Sequence, residues 1–173
     1  MEIIVAVDLN WGIGRGGNLL QPISEDLKRF KQLTLGKTVV YGRKTLDSFP
    51  GGRPLPKRPN IILSRHLEEA DDRIVVRSYE ELAEKIAGIE DVKLIGGASV
   101  YRDLLPYCSS AEVTVIDHAF SDVEHYFPNL DELDNWQLHS QSEPMTDEKS
   151  GLNFTYRRYI NTAVIPFGTT NEA

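Results

Sequence analysis

The chain has 173 residues, of which 40% are hydrophobic and 26% are charged, and its formal net charge is −7 at pH 7. This length and composition predict one globular domain whose core needs neither a disulfide nor a structural metal. The acidic charge argues against general binding to nucleic acid or to a membrane surface, so we expect neither of these partners. We also expect no metal site.

The first predicted element is a buried strand at residues 3–7. This apolar run follows no basic leader and is too short for a signal peptide or a membrane span. The only cysteine, Cys108, cannot form an internal disulfide, which suits a reducing compartment. We therefore expect a cytoplasmic protein. Since no histidine stands beside Cys108 in the sequence, we expect a partly buried spectator, with a reactive nucleophile as the alternative.

A glycine-rich segment follows the first strand. Gly12, Gly14 and Gly17 match the G-x-G-x-x-G pattern of a Rossmann dinucleotide site. That site requires a helix to begin inside the motif, so that the helix N-terminus meets the pyrophosphate. Here residues 18–23 intervene and include Pro22. The favoured interpretation is a flexible loop beside a site, able to close over a ligand.

Hydrophobic periodicity predicts four helices and seven further strands. The helices are expected at residues 24–35, 44–49, 79–87 and 98–105, and the strands at 38–41, 60–63, 74–76, 92–95, 112–116, 136–140 and 153–160. Ser24 is expected to cap the first helix and Gly36 to stop it. Strands that alternate with helices predict a mostly parallel sheet covered on both faces, and the last two strands predict an antiparallel ending at one edge.

No internal repeat or linker divides this pattern. We expect a single domain over residues 1–160, followed by a C-terminal tail over residues 161–173 whose polar end frays. A monomer is the expected oligomeric state.

Asp26 is a candidate functional carboxylate in the first turn of the first helix. Phe30 and Leu33 follow at i+4 and i+7, so Asp26 shares their apolar stripe. Glu25 and Arg29 are expected on the solvent side. The alternative is that Asp26 only favours the helix dipole, although Glu25 meets that need from the exposed side. A carboxylate among apolar neighbours must find a partner or raise its pKa.

Three predicted strands end in turns suited to phosphate groups. They are residues 42–45, where two cations and a hydroxyl follow a glycine, Ser64 and Arg65 after a buried strand, and the glycine pair at residues 96–97. Backbone N–H groups at such turns favour anions, and an arginine after the strand favours a 2′-phosphate over a ribose hydroxyl. Each glycine could instead only make its turn.

The basic residues are unevenly distributed. Residues 37–77 contain nine lysines and arginines and five acids, a net charge of +4 within an acidic chain. This segment could attract a small anionic ligand, or it could be a chance cluster on a solvated face.

Several segments of the chain, taken in order, resemble the dihydrofolate reductase family. The matching segments cover nearly all of residues 1–160 and are residues 5–8, 11–14, 22–31, 42–45, 52–58, 63–65, 95–97 and 126–128, with Tyr101 and Thr114 as further matches. The resemblance implies an α/β fold with a central eight-stranded, mostly parallel sheet, an antiparallel C-terminal strand and four flanking helices. It also implies NADPH as cofactor, dihydrofolate as substrate and antifolates such as methotrexate or trimethoprim as inhibitors.

The resemblance implies a reaction in which hydride passes from nicotinamide C4 to pterin C6 and N5 takes a proton. Asp26 would bind the pterin 2-amino group and N3 and promote protonation of N5, and Thr114 would hydrogen-bond its carboxylate. Gln21 stands where most members carry an aromatic residue beside the pterin. Glutamine can still hydrogen-bond a water, but it removes a flat apolar wall.

The resemblance also implies two binding sets. In the substrate set, Arg58 pairs with the α-carboxylate of the substrate's glutamate, and the members are Ile4, Val5, Leu27, Phe30, Lys31, Phe49, Leu55, Arg58, Ile95 and Tyr101. In the cofactor set the family has a cis Gly–Gly peptide, and the members are Ala6, Ile13, Gly14, Asn18, Leu19, Gly42, Arg43, Lys44, Thr45, Leu63, Ser64, Arg65, Arg77, Ile95, Gly96, Gly97, Ala98, Ser99, Val100 and Tyr101.

Two other functions stay open at this stage. One is a reductase of the same fold that acts on another pteridine or on a pyrimidine, and the other is a folate- or NADPH-binding protein that lost turnover because of Gln21. Asp26 and Arg58 together favour folate, because one matches the residue that reads the pterin and the other the residue that reads the glutamate.

Overall fold

A computed structural model describes residues 1–168 of the chain. The helices are α1 Ser24–Thr34, α2 Arg43–Ser48, α3 Tyr79–Ile86 and α4 Ala98–Leu104. The strands are β1 Glu2–Val7, β2 Gly12–Gly14, β3 Thr38–Gly42, β4 Asn60–Leu63, β5 Ile74–Val76, β6 Val92–Gly96, β7 Ser110–Ile116, β8 His125–Tyr126, β9 Trp136–Gln141, β10 Met145–Thr146 and β11 Asn153–Asn161.

Eight strands of the main sheet follow the order β10-β11-β7-β1-β6-β3-β4-β5. A ninth strand, β9, pairs with β11 on the same side as β10 but along a different part of the strand. The pairings from β7 to β5 are parallel, whereas β11 runs antiparallel to β7 and to both of its outer neighbours. The predicted fold class is thereby confirmed. The turns predicted to hold phosphates follow β3, β4 and β6, which lie side by side.

The two faces of the sheet bury different clusters because side chains alternate along each strand. One face packs Val5 and Leu94 against Leu82 of α3 and Leu104 of α4. The other face carries Tyr41 and Ile95, and it packs against α1 and α2 through residues such as Phe30 and Leu46. Asp26 therefore belongs to the second face.

All eight predicted strands and four helices are present, with ends shifted by no more than two residues. The sequence did not predict β2, β8 or β10, because strands of two or three residues carry no readable alternation.

The predicted cap of α1 is wrong. Ser24 is the first helical residue, and the preceding residue, Ile23, offers no side-chain cap. The carboxylate of Asp147, from the loop between β10 and β11, lies near the Ser24 backbone, which contributes to lowering the pKa of that carboxyl group. A distant acid therefore stands at the helix N-terminus, where a negative charge is favourable.

The first part of the predicted tail packs against the domain. Thr162 donates its backbone N–H to the carbonyl of Asn135 at 2.7 Å, and Ile165 donates to the carbonyl of Pro106 at 3.0 Å. The rings of Phe167 and Tyr107 lie 5.0 Å apart. The polar end of the tail, residues 169–173, lies outside the described residues, so its expected fraying stays a prediction.

Candidate functional site

Asp26 lies where α1 crosses β7. The hydroxyl of Thr114 donates a hydrogen bond of 2.5 Å to Asp26 Oδ1. Burial raises the pKa of Asp26 above its ordinary value, while the Thr114 hydrogen bond and the positive charge of Arg29 oppose that rise. An acid that only served the helix dipole would stand in solvent, so this geometry favours the functional interpretation. The predicted pairing with Thr114 is confirmed.

The expected solvent position of Arg29 is wrong. Its guanidinium lies 2.9 Å from Glu112 Oε2 on β7, and its side chain is 26% exposed. The same guanidinium stacks on the ring of Tyr156, with the carbon 3.9 Å from the ring centroid. Helical periodicity assigned Arg29 to the outer side, because the sequence does not show that β7 and β11 extend beneath it.

A small cavity opens beside Asp26, between α1 and the glycine-rich segment. Gln21 and Leu27 line it together with Ile13 and Leu19, and its full lining is Ala6, Val7, Gly12, Ile13, Leu19, Leu20, Gln21, Pro22, Ile23, Asp26, Leu27 and Ile116. Gln21 is half-buried and donates its amide N–H to the carbonyl of Pro22 at 3.1 Å. The cavity thus unites predicted catalytic, substrate and cofactor residues around one carboxylate.

A second group of predicted substrate residues packs on the sheet face that carries α1 and α2. Ile4, Phe30, Phe49 and Leu55 pack around the cluster that contains Ile95. Two members of the predicted set lie elsewhere: the side chain of Val5 packs in the core on the opposite face, and Lys31 is exposed. The apolar residues of this set therefore lie on the same sheet face as Asp26, between α1 and α2.

Arg58 is a further member of this predicted set. Its Nη1 donates to Thr34 Oγ1 and its Nε to the carbonyl of Pro56, both at 2.9 Å. Burial lowers the pKa of Arg58 below its ordinary value. No acid pairs with Arg58 within residues 1–168. A fixed, partly buried guanidinium without its own carboxylate is suited to binding one from a ligand.

Asn60 fixes the loop that carries Leu55 and Arg58, a role that its sequence pattern does not indicate. Its side-chain oxygen accepts from the hydroxyl of Tyr41 at 2.8 Å and from the backbone N–H of Leu55 at 3.0 Å. Its amide donates to the carbonyls of Leu55 and Arg58 at 2.8 and 2.7 Å. Both ends of this buried amide are satisfied. In sequence, Asn60 reads only as the start of a strand.

The turns after β3 and β6 contact each other. A Cβ on Gly96 would lie 2.8 Å from Thr45 Oγ1, and a Cβ on Gly42 would lie 3.2 Å from Val100 Cγ2. Gly96 also has φ of +142°, which L side chains rarely adopt. The expected cis peptide between Gly96 and Gly97 is present. Gly42 and Gly96 are therefore needed because the two turns approach each other closely. Making a turn is not the whole role of either glycine.

The third turn lies on the neighbouring strand and carries basic groups at the surface. Ser64 Oγ accepts from the backbone N–H of Leu67 at 3.1 Å, and Arg77 donates to the carbonyl of Ser64 at 2.8 Å. Arg65 is exposed and forms no ion pair with any residue in the described chain. Arg43 is paired with Asp47 at 3.1 Å. The basic segment thus presents cations beside the three turns.

The remaining cofactor-set residues divide between two places. Leu63 ends β4 beside Gly42, and Ala98 and Ser99 open α4 directly after the glycine pair. Gly14 and Asn18 belong to the glycine-rich segment, where Asn18 and Arg15 exchange backbone hydrogen bonds of 3.0 and 3.1 Å. Lys44 is exposed on α2.

The stem of the glycine-rich segment is held by Asp8, which sequence reasoning missed. Asp8 is 1% exposed. Its Oδ1 accepts from the backbone N–H groups of Asn10 and Gly12 at 2.9 and 2.8 Å, and its Oδ2 accepts from Phe120 N–H at 3.1 Å. The chain then forms β2, and α1 begins only at Ser24, which confirms that this is no Rossmann motif.

Two further predicted residues are internal. Cys108 is fully buried, its thiol donates to the carbonyl of Leu104 at 3.3 Å, and burial raises its pKa to about 12. The thiol is therefore protonated at neutral pH, as expected of a spectator. Tyr101 is buried beside the glycine pair and donates its hydroxyl to the carbonyl of Ile4 at 2.6 Å.

The described residues contain neither a metal-binding cluster nor a membrane-spanning helix. Within residues 1–168, no group of three or more His, Cys, Asp or Glu side chains is placed to hold a metal ion. In the same part of the chain, no helix has the length and apolar character needed to cross a membrane.

The chain is similar to known proteins over nearly its whole length. A family profile described as "Dihydrofolate reductase" matches residues 1–161. The dihydrofolate reductase of Bacillus subtilis strain 168 is 36% identical over 160 residues, which are 92% of this chain and 93% of that protein. That of Haemophilus influenzae is 35% identical over 149 residues, or 86% of this chain and 91% of that protein.

A solved structure is similar over the same range. It is a dihydrofolate reductase from Enterococcus faecalis complexed with NADP(H) and RAB-propyl, with a TM-score of 0.82 and 32% sequence identity. The match covers 92% of this chain and 95% of that one. The family expected from the sequence is confirmed.

Proposed function

The chain belongs to the dihydrofolate reductase family, and from that premise we propose that it uses NADPH to reduce 7,8-dihydrofolate to 5,6,7,8-tetrahydrofolate. The observation that carries the proposal is Asp26, a carboxyl group held by Thr114 at the edge of an apolar cavity. The product places the enzyme in tetrahydrofolate biosynthesis and one-carbon metabolism.

Asp26 has the properties that protonation of the pterin requires. The reaction adds hydride at C6 and a proton at N5, so the site must supply a proton, and Asp26 is the one acid among the described residues that line the cavity. The raised pKa of Asp26 keeps a larger protonated fraction near neutral pH than an exposed aspartate has. In its ionised form the same carboxylate accepts hydrogen bonds from the pterin 2-amino group and N3. Its proton reaches N5 through solvent or through a tautomer of the pterin.

The cleft between Asp26 and Arg58 matches the two ends of the substrate. The apolar wall of Leu27, Phe30, Phe49 and Leu55 suits the pterin and aminobenzoyl rings. Arg58, held by Thr34 and Pro56, then pairs with the α-carboxylate of the glutamate. Antifolates that share this layout would occupy the same cleft.

The three turns suit the cofactor. NADPH supplies the hydride when it is bound. Gly42 and Gly96 let the turns after β3 and β6 approach each other more closely than a side chain would allow. Arg65, which pairs with no acid among the described residues, would select the 2′-phosphate of NADPH. Tyr101 and Ile13 would border the nicotinamide end of this site.

Gln21 distinguishes this chain from most of the family. It lies in the wall of the same cavity as Asp26, so its amide can hold a water near the carboxyl group. It replaces the aromatic wall expected there with a polar side chain. We propose full turnover despite this change, in a monomeric enzyme of the cytoplasm.

The direct test mixes the protein with NADPH and dihydrofolate and follows the loss of NADPH absorbance, with methotrexate as a control. We expect turnover that methotrexate abolishes. Asp26→Asn should lower hydride transfer at neutral pH by roughly 100-fold or more, with partial recovery in acid, whereas Asp91→Asn, at an exposed pair with Lys37, should not.

Three outcomes would contradict the proposal. Full activity of Asp26→Asn would remove its central residue. Binding of folate and NADPH without turnover would favour a binding protein, and turnover of another pteridine or a pyrimidine in place of dihydrofolate would favour a different reductase of the same fold.

A further inference from the structure

A row of charged side chains crosses the sheet beneath α1. Lys93 of β6 and Arg158 of β11 both pair with Glu2 of β1, and Arg158 also pairs with Glu112 of β7. Glu112 in turn pairs with Arg29 of α1 at 2.9 Å. The row therefore runs from the amino end of β6 to the helix that carries Asp26.

Strand register places this row beside the site. Glu112 and Thr114 are two residues apart on β7, so both side chains point to the α1 face. Opposite them on β11 stand Arg158 and Tyr156, respectively. Thr114 holds Asp26, and Glu112 holds Arg29. Two successive residues on one face of β7 therefore fix two residues of α1 that lie one helical turn apart.

Arg29 is the member of the row that shares a helix with Asp26, and its charge favours the ionised form of that carboxyl group. It is three residues further along α1, on the neighbouring turn of the helix. Its guanidinium is held on one side by Glu112 and on the other by the Tyr156 ring. The side chains of Arg29 and Glu112 are 26% and 13% exposed, so solvent screens their charges less than it does at the surface. The proposed function uses neither residue.

We propose that Arg29 and Glu112 form a positioning pair beside Asp26, in which Arg29 favours the carboxylate form and Glu112 limits that effect. The inference rests on the proposed function, because it assigns the pair a role in the pH dependence of dihydrofolate reduction. A positive charge near a carboxyl group favours its ionised form, and a negative charge near that cation weakens the effect.

The charged and titratable groups around Asp26 come from three elements and one loop. Glu25 and Arg29 lie on α1, Glu112 lies on β7, Tyr156 and Arg158 lie on β11, and Asp147 lies in the loop between β10 and β11. Glu25 is exposed, and Asp147 is engaged by Ser150 and the Ser24 backbone. Of the cations, Arg29 is the one on the same helix as Asp26 and one turn away.

Opposite substitutions in one ion pair give a sharp test. Arg29→Gln removes the charge that favours the carboxylate, so hydride transfer should persist to higher pH than in the wild type. Glu112→Gln leaves Arg29 uncompensated, so hydride transfer should fail at lower pH. The double variant should lie between the two. Arg29→Lys keeps the charge and should restore a nearly wild-type profile.

The measurement is the single-turnover rate of hydride transfer against pH, joined to a ¹³C NMR titration of the aspartate carboxyl groups without ligands. The Asp26 signal is assigned by its absence in Asp26→Asn. Arg73→Gln is the matched control, because Arg73 also forms a 2.8 Å ion pair and is 19% exposed, but stands at the opposite edge of the sheet. It should move neither the profile nor the Asp26 titration.

The results separate the two proposals. A wild-type protein without turnover would overturn the proposed function, while the NMR titration would still measure the effect of the pair on Asp26. An Asp26 titration that moves in the same direction in Arg29→Gln and Glu112→Gln, or in neither, would overturn the inference. A merely structural role predicts loss of stability in both variants without opposite shifts.

Discussion

Asp26 combines a function with a cost in stability. Burial raises its pKa in the folded protein, which means that the folded state disfavours the ionised carboxyl group relative to the unfolded chain. For such a group, the stabilising contribution is fully present below the unfolded pKa and is lost as pH rises through the folded pKa. The charge retained for catalysis thus weakens the fold at neutral pH.

We therefore predict that Asp26→Asn is more thermostable than the wild type at neutral pH and that this gain shrinks toward pH values near 4, the ordinary range of an aspartate. Asparagine keeps an oxygen that accepts from Thr114 but carries no charge. Thermal unfolding followed by circular dichroism over a pH series measures the difference.

Asp147→Asn is the control of opposite sign. Hydrogen bonds from Ser150 and the Ser24 backbone hold the pKa of Asp147 below its ordinary value. Its stabilisation is present above the unfolded pKa and is lost as pH falls through the folded pKa. Asp147→Asn should thus be less stable than the wild type at neutral pH, and the gap should close in acid. Equal gaps at all pH values would contradict both assignments.

The prediction for Arg65 concerns cofactor choice. Arg65→Ala should raise the KM for NADPH by roughly tenfold or more, the scale of a lost charge-assisted hydrogen bond, and should change the KM for NADH little. Arg65→Lys should fall between the wild type and the alanine variant, since lysine keeps the charge but not the guanidinium fork. Equal losses with both cofactors would show that Arg65 does not read the 2′-phosphate.

At this scale, the sequence was informative where one residue contradicted its own pattern. Asp26 stood on an apolar stripe, and the resemblance supplied Thr114 as its partner. Arg29 could not be found in this way, because its partner Glu112 is 83 residues away, and the bond that ties Asp8 to another part of the chain comes from Phe120, 112 residues away. A polar residue with a distant partner looks in sequence like any other polar residue.

At the scale of elements, the glycine-rich segment is anchored more firmly than its composition suggests. Besides the Asp8 bonds, Phe127 donates its backbone N–H to the carbonyl of Trp11 at 2.8 Å, and Glu124 donates to that of Gly14 at 3.0 Å. Trp11 has φ of +63° and packs its buried ring on Phe127 and Tyr159. Hydrogen bonds from Asp8, Glu124 and Phe127 thus hold the stem as far as Gly14. We expect any closing motion in the residues beyond Gly14.

We predict that Asp8→Ala lowers the free energy of unfolding by about 2 kcal/mol or more, because three backbone N–H groups lose their acceptor in a buried place. It should also raise the KM for NADPH, since the stem carries Ile13 and Gly14. Urea denaturation and steady-state kinetics measure the two effects. Asp8→Asn keeps one acceptor oxygen and should be intermediate. An alanine variant with wild-type stability would mean that the stem is held elsewhere.

The long elements were predictable because each carries its own periodicity, and the short ones were not. Strands β2 and β8 form because the glycine-rich segment meets residues 125–126, which is a tertiary event. The two edge strands β9 and β10 share one side of β11. Sequence alternation predicted the first of these and gave no sign of the second, which has two residues.

At the scale of the whole molecule, the tail and the site lie at opposite ends of the parallel strands. The site gathers at the carboxyl ends, where β6 leads into Gly97 and β3 into Arg43. The tail packs near the amino ends, in a shallow apolar depression lined by Met1 and Val92 together with Ala83, Ile86 and Phe167. The tail is therefore expected to contribute to stability and not to catalysis.

We predict that Phe167→Ala lowers the free energy of unfolding by about 1 kcal/mol, the scale of an aromatic pair at a partly exposed position, and leaves kcat and the KM values unchanged. Removal of residues 162–173 should lower stability further, because the bonds of Thr162 and Ile165 are lost as well. Urea denaturation at constant pH measures both variants. Val164→Ala, at an exposed position of the same tail, is the matched control and should change little. A truncated chain as stable as the full one would mean that the tail contributes nothing to the free energy of unfolding. Lost turnover in a folded truncated chain would mean that the tail affects the site, although the two lie at opposite ends of the parallel strands.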